Sequence, residues 1–354
     1  MKLNKHIKNK TFVKIIFSLL SIFILFHFTI WNIYTKSIFD ISQNNMVGDL
    51  SRLSYSTKSI VLREIQKPLF FNLSNWDGKA VDLLTIGDSF SNGGGGLYYQ
   101  NFIIQTQKLR ILNIEKIDNS SSYIETISIL NNNGELAKIN PKSILIESIE
   151  RKCIDRLTKD VDFNKTNSTI FTNIKTKKYN HTNKKIKKIS FINNSNYNAF
   201  LYNLLYPLNE HAYFSKIYKA SLDKKLFTNA TPYTLLYYDN DLKSIDNSTY
   251  ENIKILNENL NKLTKILNKK NIKLYFMPTV DKYNLYSKHI VDNKHKNSTF
   301  FEFLRKENKL YFFIDTKKIL TQKLLKKDLY WADDTHWNKK AIEETFKNIL
   351  FQKY

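Results

Sequence analysis

An α/β fold built on a parallel sheet is what this 354-residue sequence predicts, and three observations predict it. Apolar runs of strand length recur from Lys79 onward: Val81 to Ile86, Leu109 to Ile117, Ser143 to Ile149, Lys273 to Met277 and Leu310 to Ile314. Helical patterns lie between them, and strands alternating with helices imply parallel pairing with both sheet faces covered. Turn-forming residues follow the runs, so polar side chains collect at the C-terminal sheet edge, where open α/β sheets do their chemistry. About five strands are expected, most simply in the order 2-1-3-4-5.

The N-terminus is separate from that pattern. Met1 to Lys14 carries five lysines and no acid, and Ile15 to Tyr34 has no formal charge over 20 residues. A helix of that length crosses a hydrocarbon core of about 30 Å. Trp31 and Tyr34 suit the far interface, and the basic flank belongs on the cytoplasmic side. No Ala-x-Ala site follows, so a retained signal anchor is expected rather than a cleaved signal peptide. The reading is a single-pass cell-membrane protein whose bulk lies outside the cytoplasm. Residues 1–36 form the flank and span, residues 37–78 a stalk or linker, and residues 79–354 the globular domain.

Within that domain, the first strand ends at Gly87-Asp88-Ser89-Phe90, and Gly87 reads as a tight turn. The glycine run Ser91 to Gly96 leads to a helix from Leu97 to Lys108, and a further helix is expected from Tyr123 to Leu130. Pro141 introduces the third strand, which brings Glu150 and Arg151 to the sheet edge. Residues 155–245 fit the alternation poorly and read as a long insertion or a small subdomain, with Lys184 to Lys188 as a solvated basic run. Ile253, Leu256, Leu260, Leu263 and Leu267 recur at three and four residues, a helix from Tyr250 to Asn268 with one apolar face. Pro278 is expected to close the fourth strand. A final helix from about Asn338 has Ala341, Ile342, Thr345, Phe346, Ile349 and Leu350 as its inner stripe.

Composition narrows the function classes. The formal charge is +23, with 55 Lys and Arg against 32 Asp and Glu. Such an excess favours anionic surfaces or polymers, membrane lipid or an acidic glycan. No nucleic-acid motif accompanies it. The single cysteine, Cys153, excludes an internal disulfide and a cysteine-built metal site, and it reads as a core residue.

The chemistry rests on two stretches. Ser89 stands at the end of the first strand. Tyr330-Trp331-Ala332-Asp333-Asp334-Thr335-His336-Trp337-Asn338 lies between the last strand and the last helix, at the same sheet edge. A serine hydroxyl needs a general base to attack at neutral pH. His336 suits that role, and a carboxylate two or three residues earlier, Asp334 or alternatively Asp333, can orient it. The competing reading makes these aspartates caps of the final helix and His336 a surface residue. One histidine and two aspartates make a thin metal-ligand set, so no metal or other cofactor is expected.

Together these stretches resemble the SGNH/GDSL hydrolase superfamily, and most closely its alginate O-acetyltransferase-like branch, in which Asp-x-His-Trp is typical. Pro141 to Arg151 is similar to that branch's strand ending in Glu-Arg, and Pro278 through Asp281-Lys282-Tyr283 to its Pro-Asp-Lys-Tyr segment. The resemblance covers roughly residues 79–152 and 250–354. It lacks the second-block glycine near Asn119-Ser120-Ser121 and any Gly-x-Asn-Asp block, and its Asp-x-His motif follows the serine instead of preceding it. Alginate is therefore not carried over as substrate. The resemblance implies a flavodoxin-like three-layer fold and an acyl-Ser89 intermediate. Oxyanion donors are expected from the Ser89 N–H and the Gly93–Gly96 loop (Gly93, Gly94), with Arg151 nearby or else ion-paired to Glu150 or Asp155. The expected activity is O-acyl transfer to a surface or secreted polysaccharide, supplied by a membrane-bound O-acyltransferase. An esterase with the same triad and a non-catalytic glycan-binding scaffold are the alternatives.

Overall fold

The apolar runs pair side by side, as their alternation with helices requires. The computed structural model describes residues 2–39, 47–63, 65–166 and 190–354, the first seven of these by backbone alone. Its strands are β1 (Phe71–Asn72), β2 (Leu83–Ile86), β3 (Ile111–Ile114), β4 (Ser143–Ile149), β5 (Ile217–Ser221), β6 (Thr234–Tyr238), β7 (Lys273–Thr279) and β8 (Phe312–Phe313). Six form one parallel sheet in the order β1-β3-β2-β4-β7-β8. The expected 2-1-3-4-5 order is present as β3-β2-β4-β7-β8. The sixth strand, β1, adds at the edge through Phe71 against Leu112 and comes from the stretch read as a linker. The chain leaves β2 toward β3 and then crosses to β4 on the other side, so the C-terminal end of β2 is a topological switch point.

Packing explains most element boundaries. The helix Tyr250–Asn268 starts where Thr249 accepts a hydrogen bond from the Asn252 N–H at 3.2 Å. Ile253, Leu256, Leu260, Leu263 and Leu267 are fully buried, each worth about 1.5–3 kcal/mol in removed apolar surface. Cys153 is buried too, and burial pushes its thiol well up. The neighbouring helices run Tyr99–Gln107 and Tyr123–Asn132.

Two expectations fail for identifiable reasons. Pro278 does not close β7, which continues to Thr279 opposite Ile149. The Pro278 carbonyl accepts from Thr316 Oγ1 at 2.6 Å, on the β8 side. Because β8 pairs only with Tyr275 and Phe276, the missing proline N–H costs no ladder bond there. The last helix ends at Phe346, with Ala341, Ile342, Thr345 and Phe346 inward. Leu350 lies beyond it and is 79% exposed, outside the expected stripe.

From residues 155–245, the described part contributes a helix, Ser195–Leu205, and an antiparallel β5-β6 pair. Lys184 to Lys188 lie outside the described residues. At the N-terminus, Asn9–Phe39 is one helical stretch of 31 residues whose most apolar 18 residues have a mean hydropathy of 2.2, long enough to cross a membrane.

Candidate active site

At the end of β2 the chain turns without strain, since Gly87 has no positive φ. Its requirement is space. A Cβ there would stand 2.2 Å from Ser91 Oγ and 2.4 Å from Glu147 Oε2. Glu147, wholly buried on β4, accepts from the Asp88 N–H at 3.0 Å, Ser91 Oγ at 2.9 Å and Thr279 Oγ1 at 3.2 Å. Burial and the nearby Asp88 push its carboxyl well above the ordinary range. Asp88 accepts from the Ile149 N–H at 2.9 Å and pairs with Arg156. These contacts lock the turn against β4 and leave Ser89 exposed at its tip.

The second motif folds back to meet it. His336 Nε2 is 2.7 Å from Ser89 Oγ, and His336 Nδ1 is 2.6 Å from Asp334 Oδ1. The His336 backbone N–H donates to the same oxygen at 3.0 Å. His336 is only 9% exposed, with its ring 4.7 Å from that of Phe90. Trp337 packs edge-on to Phe90 at 5.3 Å, which accounts for the His-Trp pairing. A Cβ on Gly94 would fall 2.2 Å from His336 Nε2, so the glycine run lets the loop lie against the imidazole.

The two aspartates divide their work. Asp334 receives His336, while Asp333 Oδ2 accepts the N–H groups of Gly48 at 3.0 Å and Val61 at 3.1 Å. Neither caps the last helix. Asn338 does, accepting from the Lys340 N–H at 2.8 Å. Burial opposes ionisation of Asp334, yet His336 and Arg63 outweigh it and hold the carboxyl well below the usual range. For His336, burial lowers the imidazole pKa, but the Asp334 charge and hydrogen bond raise it further, for a net rise above 6.5.

Several residues at the site carried no motif in the sequence. Asp49 accepts from the Thr335 N–H at 2.8 Å and from Thr335 Oγ1 at 2.6 Å. The Asp49 N–H donates to Asp334 Oδ2 at 3.2 Å. Arg63, buried, pairs with Asp333 at 3.1 Å and Asp334 at 3.4 Å and lies over the Trp331 ring. These residues belong to 47–63, inside the stretch read as a stalk, and Leu50 seats that segment on Ile217 and Leu236 of the β5-β6 pair. From the Asp-Lys-Tyr stretch, buried Lys282 donates to the carbonyls of Trp331, Ala332 and Asp334 at 2.7, 3.0 and 3.1 Å. Burial pushes its ammonium pKa down to about 8.

The oxyanion candidates are placed as follows. The Ser89 N–H has no acceptor among the described residues. The Gly94 N–H donates to the Ser89 carbonyl at 2.6 Å, and Gly93 sits at φ +82° against Tyr98. Arg151 pairs with Asp281 at 2.5 Å and Asp241 at 3.2 Å, rather than with Glu150 or Asp155. It also lines a cleft of about 210 Å³ with Asp49, Leu50, Leu53, Tyr238 and Thr335. Asp49, Asp334 and His336 bring one ligand atom each within 4.8 Å of one another, but each of these side chains already has a hydrogen-bond partner. In comparisons with family models, curated proteins and solved structures, nothing matches the chain.

Proposed function

We propose that the protein is a serine-dependent O-acyltransferase of SGNH type, anchored in the cell membrane with its catalytic domain outside the cytoplasm. The observation that carries this reading is the continuous Ser89–His336–Asp334 relay at 2.7 and 2.6 Å, ending on an exposed serine. His336 Nε2 takes the Ser89 proton as Oγ attacks the acyl carbonyl, and Asp334 stabilises the imidazolium. The Ser89 N–H faces the developing oxyanion. Collapse breaks the bond to the donor's leaving group, which takes the proton from His336 and leaves acyl-Ser89. A sugar hydroxyl then attacks the acyl carbonyl as its proton passes to His336, and collapse breaks the bond to Ser89 Oγ, which takes that proton back and leaves the acylated sugar.

Transfer is favoured over hydrolysis by the 31-residue apolar stretch, which keeps the site beside a membrane that can host an acyl-supplying O-acyltransferase. A +23 charge suits an acidic polysaccharide acceptor, and Tyr238 in the cleft beside Thr335 offers a ring on which a sugar can stack. The test uses the full chain in detergent with a chromogenic acetyl ester, with and without glycan. Acyl-Ser89 should appear by mass spectrometry, and Ser89→Ala should lower kcat/KM by on the order of 10⁴-fold or more. Turnover indifferent to acceptor would make the protein an esterase. Unchanged turnover in Ser89→Ala would remove the catalytic reading.

A further inference from the structure

The helix Ser195–Leu205 is inside out by the standards of a water-exposed element. Its inward face carries Asn196, Ala199 and the half-buried Tyr202 and Asn203, whereas Leu201 and Leu204 face outward and Tyr197 and Phe200, which also touch the N-terminal helix, are still 44% and 43% exposed. Leu204 is 55% exposed and Leu208, just beyond the helix, 70%. Phe191 and Ile192 before it, and Tyr213 and Phe214 after it, are exposed as well. No residue from Ser190 to Asn209 is charged, in a chain that is 25% charged. Water does not stabilise such an arrangement, and a patch of this kind marks an interaction surface.

What covers it follows from its neighbour. The helix packs against the N-terminal apolar helix at Phe26, His27 and Ile30. His27, a polar residue within that stretch, is 1% exposed. Its Nδ1 meets Asn196 Nδ2 at 2.8 Å and its Nε2 meets the Tyr197 hydroxyl at 3.2 Å. A polar side chain at membrane depth needs such partners on a neighbouring helix. At 1.5 Å rise per residue, His27 lies about 10 Å along the helix from Tyr34, which marks the far interface. That is the depth, about 5–10 Å, at which interfacial helices bury their apolar faces.

We infer that Ser195–Leu205 and its flanks are a second membrane element, a wedge seated in the outer leaflet of the bilayer beside the N-terminal helix. The inference rests on the membrane-spanning reading of that helix. Its apolar outer face is solvated by acyl chains, and Asn196 and Asn203 bind the protein. The wedge also sets the height of the active site. Asn203 Nδ2 donates to the Tyr55 carbonyl at 3.2 Å, and Tyr55 ends the short helix Asp49–Ser54, whose Asp49 holds Thr335. The Ser89 site is thereby held at the lipid surface, where an acyl donor emerging from the membrane is delivered.

The experiment places the full chain in proteoliposomes, with an environment-sensitive NBD probe on single introduced cysteines. Cys153, buried in the folded protein, stays unlabelled. Leu201→Cys and Leu204→Cys report on the wedge, Leu19→Cys on the N-terminal helix, and exposed Lys254→Cys on the distant surface. Lipids bearing nitroxides on their acyl chains should quench the Leu201 and Leu204 probes about as strongly as the Leu19 probe, and several-fold more than the Lys254 probe. If Leu19 is quenched while Leu201 and Leu204 behave like Lys254, the wedge is wrong and the anchor stands. If Leu19 too escapes quenching, both readings fall.

Discussion

His336 sits between two demands, since burial favours its neutral form and Asp334 favours its charged form. Asp334 wins, so the imidazole pKa stands above 6.5. A general base must be neutral, so kcat/KM should fall as pH drops through that raised value. In Asp334→Asn the charge is gone, and the acid limb should move to lower pH while the rate falls by roughly 10⁴-fold. A pH–rate profile of both proteins checks this; an unmoved limb would mean that Asp334 does not face His336 in solution. The stability sign runs the same way. The raised His336 pKa adds stability that is complete below 6.5 and lost as pH rises through the folded value. The depressed Asp334 pKa adds stability present above 3.8 and lost as pH falls. The pair therefore contributes most between those limits.

At the scale of elements, the motif loop is held from two sides. Lys282 gathers three of its carbonyls from the end of β7, while the short helix Asp49–Ser54 presents Asp49 to Thr335. Asp49→Ala would leave the Thr335 N–H without its partner inside the protein, at a cost of about 1–3 kcal/mol. Since Asp49 also helps to raise the His336 pKa, the variant's acid limb should shift downward, though less than for Asp334→Asn. Thermal melting and the pH profile read the two effects separately. A lowered melting temperature with an unshifted limb would make Asp49 a structural clamp alone.

Over the whole molecule, residues 47–63 form a strap that crosses to a loop about 285 positions later in the chain. A chain starting at residue 47 keeps Gly48, Asp49, Val61 and Arg63; one starting at residue 65 loses them all. Without that segment Asp333 loses its Arg63 ion pair and Asp334 keeps His336 alone, and breaking a buried pair costs about 3–5 kcal/mol. The longer chain should fold and turn over substrate, and the shorter one should lose stability by at least that amount together with activity. Equal melting temperatures and turnover would return the segment to the status of a passive stalk.

Much of this architecture was legible in local patterns. Apolar runs separated by helical periods identify the parallel sheet, because period and length report burial within a few residues. Ser89 and the Asp-Asp-Thr-His-Trp stretch were visible for the same reason, each set inside one turn. The choice of Asp334 over Asp333 was not, because both lie within reach of His336 along the chain and only the packing of Gly48, Val61 and Arg63 claims one of them. Arg151 was equally ambiguous until Asp241 and Asp281 arrived from other elements. The strap and the inside-out helix belong to the same class. Ion pairs and hydrogen bonds between residues hundreds of positions apart leave no period in the sequence, and a helix's apolar residues do not say whether they face a core or a bilayer until the fold turns them outward.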